Sequence, residues 1–287
     1  MSVLMPTRSF RAPLQPDIPR NWLPANPALS ALLDMYTVIV PSNEAFYMRT
    51  LARCLGRIDD PDLAAAGRAF IHQEAEHGVA HKRFWSVLDA HGYRYRRLER
   101  IIDVLTFRLT ERIAPLSLRM SMVSCIEHIN AFMAHEFLRQ GILADAHPEV
   151  RAMQEWHFAE EIEHKSVSFD VLRAVSPGYG MRLAGWVPTT VLFYTLMTLG
   201  MLFFLAQDGG LWRASTWRGL WRHLGPEHGM ARRTLKHLFA YLKPSFHPSQ
   251  LDDRALAEAV IARYSSPQGG WLAPATRGSG RAPDLAA

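Results

Sequence analysis

Residues 156–172 read WHFAEEIEHKSVSFDVL, and two of them give the clearest indication of fold and chemistry. Glu161 and His164 are three positions apart, so on a helix their side chains project from the same side. The same Glu-x-x-His spacing occurs at Glu74 and His77, within FIHQEAEHGVAHKRFW at 70–85. A chain of this length and composition contains about 0.6 such pairs by chance. Two pairs, each inside a long predicted helix, therefore indicate a common site.

Each of these helices follows another predicted helix that carries a glutamate. Glu44, in PSNEAFYMRT at 41–50, lies 30 residues before Glu74, and Glu127, in CIEHINAFMAHEFL at 125–138, lies 34 residues before Glu161. Those separations suit antiparallel neighbouring helices whose glutamates come level with one another. The order Glu, Glu-x-x-His, Glu, Glu-x-x-His is that of ferritin-like di-metal carboxylate bundles. The sequence therefore predicts an all-α fold built on a ferritin-like four-helix bundle.

The residue types fit a pair of metal ions. Four carboxylates offset most of the charge of two cations, and such oxygen-rich sites with some imidazole favour iron or manganese over zinc. The alternative is that these side chains are ordinary solvated charges. However, Phe46 and Ile126 make two of the helix faces apolar, where an unpaired carboxylate is costly. The predicted ligands of two iron ions, with manganese as the alternative metal, are Glu44, Glu74, His77, Glu127, Glu161 and His164.

Two more histidines lie on the same helix faces. His157 precedes Glu161 by four residues, so His157, Glu161 and His164 form one stripe. His157 is a seventh candidate ligand, with an ordinary core histidine as the alternative. His81 continues the stripe of His77 and is predicted to lie beside the metal site, not in it.

Two polar residues follow the single glutamates by one helical turn. Tyr47 lies three positions after Glu44, and Asn130 lies three positions after Glu127. Neighbours of this kind orient carboxylate ligands or line the cavity around them. The other acidic residues close to the Glu-x-x-His pairs are expected to face solvent; they are Glu76, Glu160 and Glu163.

The four quoted segments together resemble a bacterial family described as predicted metal-dependent hydrolases, which belongs to the ferritin-like superfamily. The resemblance covers about residues 30–245. It implies a metal site more directly than it implies hydrolysis. The pattern His157-x3-Glu161-x2-His164 also resembles that of the p-aminobenzoate N-oxygenases, whose di-iron site has an additional histidine. This second resemblance implies that His157 is a ligand and that the site activates O2.

The chain divides into four predicted parts. Residues 1–26 read as an irregular N-terminal arm, and 27–180 as the di-metal bundle. Ser42 is the predicted N-cap of the first ligand-bearing helix, and residues 98–113 are predicted to form a shorter helix between the two ligand-bearing pairs. Residues 181–265 combine an apolar segment with amphipathic helices that pack on the bundle or on a membrane. Residues 266–287, rich in Gly, Pro, Ser and Ala, are predicted to be a disordered tail.

The apolar segment has no charged residue between Arg182 and Asp208. Its length is sufficient for a membrane span, and Pro188 and Gly200 interrupt it, so it is predicted to be either one long helix or a hairpin. The tryptophans and arginines that follow suit anionic lipid head groups. The alternative is a buried helix that caps the bundle or forms a homodimer interface.

The composition limits the remaining choices. The chain is 48% hydrophobic and 21% charged, which excludes wholesale disorder. Its two cysteines, Cys54 and Cys125, indicate a reducing compartment, and no apolar run follows the N-terminal arginines as in a secretory signal. We therefore expect a cytoplasmic protein, peripheral or monotopic at the inner face of the cytoplasmic membrane. The net charge is +5, but the basic residues accompany tryptophans beside the apolar segment, so we expect no nucleic-acid partner.

These observations favour an O2-activating di-iron oxygenase. The expected reaction is hydroxylation or N-oxygenation of a small hydrophobic or lipid-like molecule, with O2 and an unidentified electron donor as partners. One alternative is a two-metal hydrolase, in which a metal-bound water attacks an ester or amide. Another is a non-catalytic metal-binding bundle.

Overall fold

The computed structural model describes residues 5–266 and 270–275, and the all-α prediction is confirmed. The long helices are α1 (Pro27–Leu55), α2 (Pro61–Ala90), α5 (Leu116–Gln140), α6 (Pro148–Val175) and α7 (Tyr179–Gln207). The shorter helices are α3 (Arg96–Ile102), α4 (Leu109–Ile113), α8 (Ala214–Leu224), α9 (Met230–Ala240) and α10 (Arg254–Ser265). A π-helical segment at Asp103–Arg108, a 3-10 turn at Pro248–Gln250, and strands β1 (Arg8–Phe10) and β2 (Leu272–Pro274) complete the described part.

Several helix ends follow directly from local sequence. The Asp60 side chain accepts hydrogen bonds from the backbone N–H groups of Asp62 and Leu63, and Pro61 occupies the first turn of α2. Gly141 ends α5 with a positive φ of 60°, a conformation that glycine adopts without strain. Both helix ends are therefore explained by residues close to them in sequence.

The predicted start of the first helix at Ser42 is wrong. Helix α1 begins at Pro27, capped by Asn26, and continues through Pro41. A proline inside a helix removes one backbone hydrogen bond, so local sequence favoured a break at Pro41. Along α1, 20 of the 29 residues are buried. Because most helical stability in proteins comes from packing, this burial outweighs the local effect of the proline.

Four long helices surround the interior that contains the predicted ligands. Helix α1 packs along α2, and α5 packs along α6; α2 also contacts α6, and α1 contacts α5. This is the neighbour relation that the order of ligand-bearing helices predicts. Each helix therefore directs one face toward a shared core.

The connection between α2 and α5 is less regular than predicted. The predicted helix over 98–113 is present as one helical run from Arg96 to Ile113, but its middle, Asp103–Arg108, is π-helical and divides the run into α3 and α4. Phe107 of this segment is buried and packs on Phe46 of α1, with ring centroids 5.9 Å apart. Segments of π-helix occur often at functional sites.

The apolar segment forms one helix, α7, so the hairpin alternative is wrong. Its inner side packs on α1 and α5. A Cβ on Gly200 would lie 1.9 Å from Cγ of Met35, and one on Gly185 would lie 2.2 Å from Oγ of Ser121. Within the described residues, α7 is the one helix long and apolar enough to cross a membrane; 33% of its most apolar 18-residue window is buried. Helix α7 is therefore buried along one side only, whereas a free membrane span would be exposed all round and a core helix mostly buried.

Two segments near the limits of the described part of the chain form a short antiparallel sheet. Strand β1 pairs with β2, with Ser9 opposite Ala273. This sheet was not predicted, because the arm and the tail both read as irregular. The rest of the predicted disordered tail, at 267–269 and 276–287, lies outside the described residues.

Candidate metal centre

Four helices bring all seven predicted ligands into one buried cluster. Helix α1 contributes Glu44, α5 contributes Glu127, and the other five come from α2 and α6. None of the seven is more than 2% exposed. The cluster comprises Glu44, Glu74, His77, Glu127, His157, Glu161 and His164.

One part of the cluster is a group of two carboxylates and two imidazoles. Glu44, His77, His157 and Glu161 each direct a donor atom to a common region in which these atoms lie within 4.8 Å of one another. Nδ1 of His77 is 3.5 Å from Oε1 of Glu44, and Nε2 of His157 is 2.7 Å from Oε1 of Glu161. Such separations are those of donor atoms arranged around one ion.

A second group adjoins the first. Glu74, Glu161 and His164 also bring donor atoms within 4.8 Å of one another. Nδ1 of His164 is 2.8 Å from Oε1 of Glu74 and 3.8 Å from Oε2 of Glu127, so Glu127 stands at the edge of this group. Glu161 belongs to both groups. A carboxylate in that position can bridge two ions.

Most of the donor atoms lack the hydrogen-bond partners that buried polar atoms normally have. Both carboxylate oxygens of Glu44, Glu74 and Glu127 have no hydrogen-bond partner, and neither does Nδ1 of His77 or His164. Leaving a buried polar group unpaired costs about 1–3 kcal/mol, and more if it is charged. Nine-tenths or more of buried polar groups are normally satisfied. This concentration of unpaired atoms is what a pair of bound metal ions would satisfy, so the residues present fit such a centre.

Hydrogen bonds made by the ring nitrogens that face away from the cluster fix the imidazoles of His77 and His164. Nε2–H of His77 donates to Oε2 of Glu160 at 2.8 Å. Nε2–H of His164 donates to Oε1 of Gln73 at 2.8 Å. The amide orientation of Gln73 is set because its Nε2 donates to Glu163 and to the backbone carbonyl of Pro6, each at 3.0 Å. With the proton on Nε2, Nδ1 of each ring is left as a bare donor for a metal.

The N-terminal arm completes this outer layer. Arg8 donates to Glu160 at 2.7 Å and to Glu163 at 3.0 Å and 3.1 Å. The expectation that Glu76, Glu160 and Glu163 face solvent is therefore wrong for Glu160, which is fully buried, and for Glu76, which is 7% exposed. Sequence spacing did not reveal this, because the arm that covers Glu160 had no predicted place in the fold.

His157 belongs to a chain of polar contacts that crosses the core. Its Nδ1 is 2.6 Å from Nε2 of His81, whose Nδ1 is 3.1 Å from Oγ1 of Thr37. On its other side, Nε2 of His157 is 3.2 Å from the hydroxyl of Tyr36. Tyr36 and Thr37 were missed from sequence because α1 was expected to begin only at Ser42. His81 lies beside the candidate ligands, as predicted, and holds His157.

The two other residues predicted to orient carboxylates, Asn130 and Tyr47, differ in the contacts that they make. Nδ2 of Asn130 donates to Oε1 of Glu161 at 3.4 Å, as expected of a residue that orients a carboxylate. Tyr47 is buried, and its hydroxyl accepts a hydrogen bond from Asn43. It lines a cleft next to the cluster, and its predicted role in orienting Glu44 stays a prediction.

Without metal, the cluster strongly perturbs proton affinities. Burial, followed by the charges of Glu74 and the other carboxylates, raises the pKa of Glu44 well above its usual value. Burial also raises the pKa of Glu161 to about 7 and lowers the pKa of His157 to about 3. Both kinds of shift disfavour charge, because the low-dielectric interior destabilises the charged form of each group. Bound cations would reverse this preference for the carboxylates.

A narrow apolar cleft of about 50 Å³ lies beside the cluster and is separated from it by Tyr36, whose hydroxyl contacts His157. Tyr36 and Tyr47 form its inner end, Phe107 of the π-helical segment forms one wall, and Leu192 and Leu196 of α7 form another. The hydroxyl of Tyr36 contacts His157, so a molecule in this cleft would lie next to the candidate metal centre.

Comparison with known proteins identifies the family. A family model described as predicted metal-dependent hydrolase matches residues 6–252, so the chain belongs to this family. No curated protein and no solved structure matches it. The ferritin-like description of the bundle and the likeness to p-aminobenzoate N-oxygenases therefore stay predictions.

Proposed function

From this family membership and the buried cluster, we propose that the protein is a two-metal enzyme that hydrolyses an ester or amide bond of an apolar substrate. One observation carries the proposal: Glu161 is shared by two adjoining groups of donor atoms, most of which have no hydrogen-bond partner. Two ions held in this way would activate a water molecule and polarise the substrate carbonyl. The oxygen-rich donor set favours iron or manganese as the metal.

The residues around the centre support this chemistry in separate ways. Glu160 and Gln73 hold the proton on the far nitrogen of His77 and His164, so both rings present a bare nitrogen inward. Burial, followed by the charge of Glu161, raises the pKa of Tyr36 well above its usual value, so its hydroxyl keeps its proton. A protonated hydroxyl at the inner end of the cleft can donate a hydrogen bond to a substrate oxygen.

The cleft supports an apolar substrate. Its walls consist mainly of aliphatic and aromatic side chains, with the hydroxyls of Tyr36 and Tyr47 at the inner end. Few polar atoms and no ion pair contribute to these walls among the described residues. Such a lining binds alkyl or aryl groups and excludes bulk water.

An O2-dependent oxygenation is the second candidate. It is favoured by the position of His157, whose Nε2 lies in the first donor group with Glu44 and His77. An additional neutral nitrogen donor changes how a metal site reacts without changing its charge. An oxygenase of this kind would require O2 and an electron donor as partners.

One experiment distinguishes the candidates. Protein purified with Mn(II) or Fe(II) is mixed with nitrophenyl esters of increasing acyl length, first without oxygen and then with it. Metal-dependent turnover without oxygen, abolished in Glu161→Ala, supports the hydrolase. Oxygen consumption on addition of Fe(II), without ester turnover, overturns hydrolysis in favour of the oxygenase. Metal binding with neither reaction would support the third alternative, a non-catalytic metal-binding bundle.

A further inference from the structure

Helix α7 lies between two apolar clefts. One is the cleft described above, which lies toward α1 and the π-helical segment and is bounded by Thr106. The other, of about 450 Å³, lies toward α5, α8 and α9 and is bounded by Phe132 and Leu235. Phe193 of α7 borders both clefts. The outer surface of α7 is therefore the centre of a broader apolar face.

The outer side of α7 forms the middle ridge of this face. Val187, Val191 and Leu199 are 55%, 63% and 59% exposed, and they follow one another at intervals of one or two helical turns. The opposite side of the helix is fixed to the bundle, since Gly185 and Gly200 contact α5 and α1 closely. The helix cannot leave the bundle to cross a bilayer without breaking these contacts.

A second ridge runs along α3, the π-helical segment and α4, beyond the narrow cleft. Ile101, Leu105, Leu109 and Ile113 recur every four residues and are all exposed, with Ile113 at 71%. An exposed apolar stripe of this length on a short amphipathic element is unusual for a surface that faces only water.

A third ridge lies on α8 and α9, beyond the larger cleft. Trp221 is 67% exposed, and Leu235 and Phe239 are 55% and 54% exposed. Tryptophan at such a position suits the boundary between lipid head groups and acyl chains.

The rim of the face is basic. Residues 209–243 contain seven Lys or Arg against the single Glu227, a net charge of +6, whereas the whole chain has +5. One of the seven, Arg233, pairs with Glu136 of α5 at 2.6 Å, and the other six have no such carboxylate partner in α5. Beside the second ridge, Arg97, Arg100 and Arg112 are exposed, whereas Arg108 pairs with Asp103 at 2.7 Å. Basic residues near an anionic membrane strengthen binding, because they attract the charged lipid head groups.

We propose that these three ridges form one docking surface for an anionic lipid bilayer, on which the protein lies without crossing it. Charge decides between a bilayer and a second copy of the chain. A symmetric dimer would place this basic surface against itself, whereas anionic lipid neutralises it. The docking does not depend on the reaction. Entry of an apolar substrate from the bilayer into the cleft beside Tyr36 is a consequence that rests on the proposed function.

Vesicle flotation of the purified, metal-loaded full chain tests the docking. We expect binding to phosphatidylcholine vesicles that contain phosphatidylglycerol, much weaker binding to pure phosphatidylcholine, and loss of binding at high salt. The double variant Leu105→Glu/Ile113→Glu should lower the partition coefficient about tenfold or more, because two exposed apolar side chains no longer enter the lipid. Arg218→Ala/Arg222→Ala should weaken binding only to the anionic vesicles.

The control is Val79→Glu, an exposed apolar position on α2 that belongs to none of the ridges. It should bind vesicles as the parent does. All variants should retain the parent's metal content, which separates a failure of docking from a failure of the metal centre. Absence of parent binding to either vesicle overturns the proposal. A second result would also overturn it: the parent is a dimer, and Leu105→Glu/Ile113→Glu makes it monomeric without changing vesicle binding. The face would then be an interface between two copies of the chain.

Discussion

Nε2 of His77 lies 2.8 Å from Oε2 of Glu160, and this hydrogen bond leaves Nδ1 of the same imidazole bare toward Glu44. Glu160 is held in turn by Arg8 of the N-terminal arm. Three separate parts of the chain therefore set the protonation of one candidate ligand. The residues that surround the cluster therefore decide, together with the ligands themselves, which nitrogen of His77 is available to a metal.

Replacing Glu160 should weaken metal binding even though Glu160 is not a candidate ligand. In Glu160→Leu, nothing fixes the proton of His77 on Nε2, so we expect metal affinity to fall about 10–100-fold. Competition with a chromophoric chelator measures this. Arg8→Gln is the matched control, because it leaves Glu160 in place, and its effect should be smaller. Equal affinity in Glu160→Leu and the parent would remove Glu160 from the support of the site.

The number of metal ions lost should depend on which carboxylate is removed. Glu161 belongs to both donor groups, whereas Glu44 belongs to one. We therefore expect Glu161→Ala to retain close to no metal and Glu44→Ala to retain about one ion of two. Metal analysis of the purified variants gives the counts. Full metal content in both Glu161→Ala and Glu74→Ala would show that the cluster is not the metal site.

Metal loading should release protons and change the pH dependence of stability. Burial, followed by the charge of Glu161, raises the pKa of Glu74 well above its usual value, and burial likewise raises the pKa of Glu127. The unfolded chain releases these protons at lower pH than the folded chain, so the apo protein loses stability as pH rises. The buried histidines, whose pKa values are lowered, oppose this trend only below about pH 6.5.

We therefore expect the Tm of the apo protein to fall between about pH 6.5 and pH 8. The Tm of the metal-loaded protein should stay nearly constant, because bound cations keep the carboxylates ionised. Titration calorimetry in two buffers of different ionisation heat should show proton release on metal binding. Apo and loaded proteins with parallel pH profiles would contradict this account.

Close packing of α7 should make Gly200 sensitive to substitution. A Cβ on Gly200 would lie 1.9 Å from Cγ of Met35, so α7 or Met35 must shift to accommodate it. We expect Gly200→Ala to lower the free energy of unfolding by about 1–3 kcal/mol. The control Leu199→Ala changes a side chain that is 59% exposed and should have an effect of about 0.5 kcal/mol or less. Denaturant titration without lipid compares the two; equal effects would mean that α7 is not held against α1.

The candidate ligands could be predicted because the spacing of residues along the chain is enough to identify them. A Glu-x-x-His pair needs only one helical turn to bring its donors together, and the separation between successive helices brings the single glutamates level. The structure places all seven predicted residues in the cluster. Their binding of metal stays a prediction, as do the identity of the metal, the reaction, the electron donor and the oligomeric state.

The sequence by itself determined the helical class, several helix ends and the residues of the cluster, because periodicity and capping depend on near neighbours along the chain. Only the tertiary structure decided that α1 passes through Pro41, that Glu160 is buried against Arg8, and that α7 is half-buried along one side. In each case the deciding contact joins residues far apart in sequence. Local preference then loses to the burial and hydrogen bonding that the assembled helices provide.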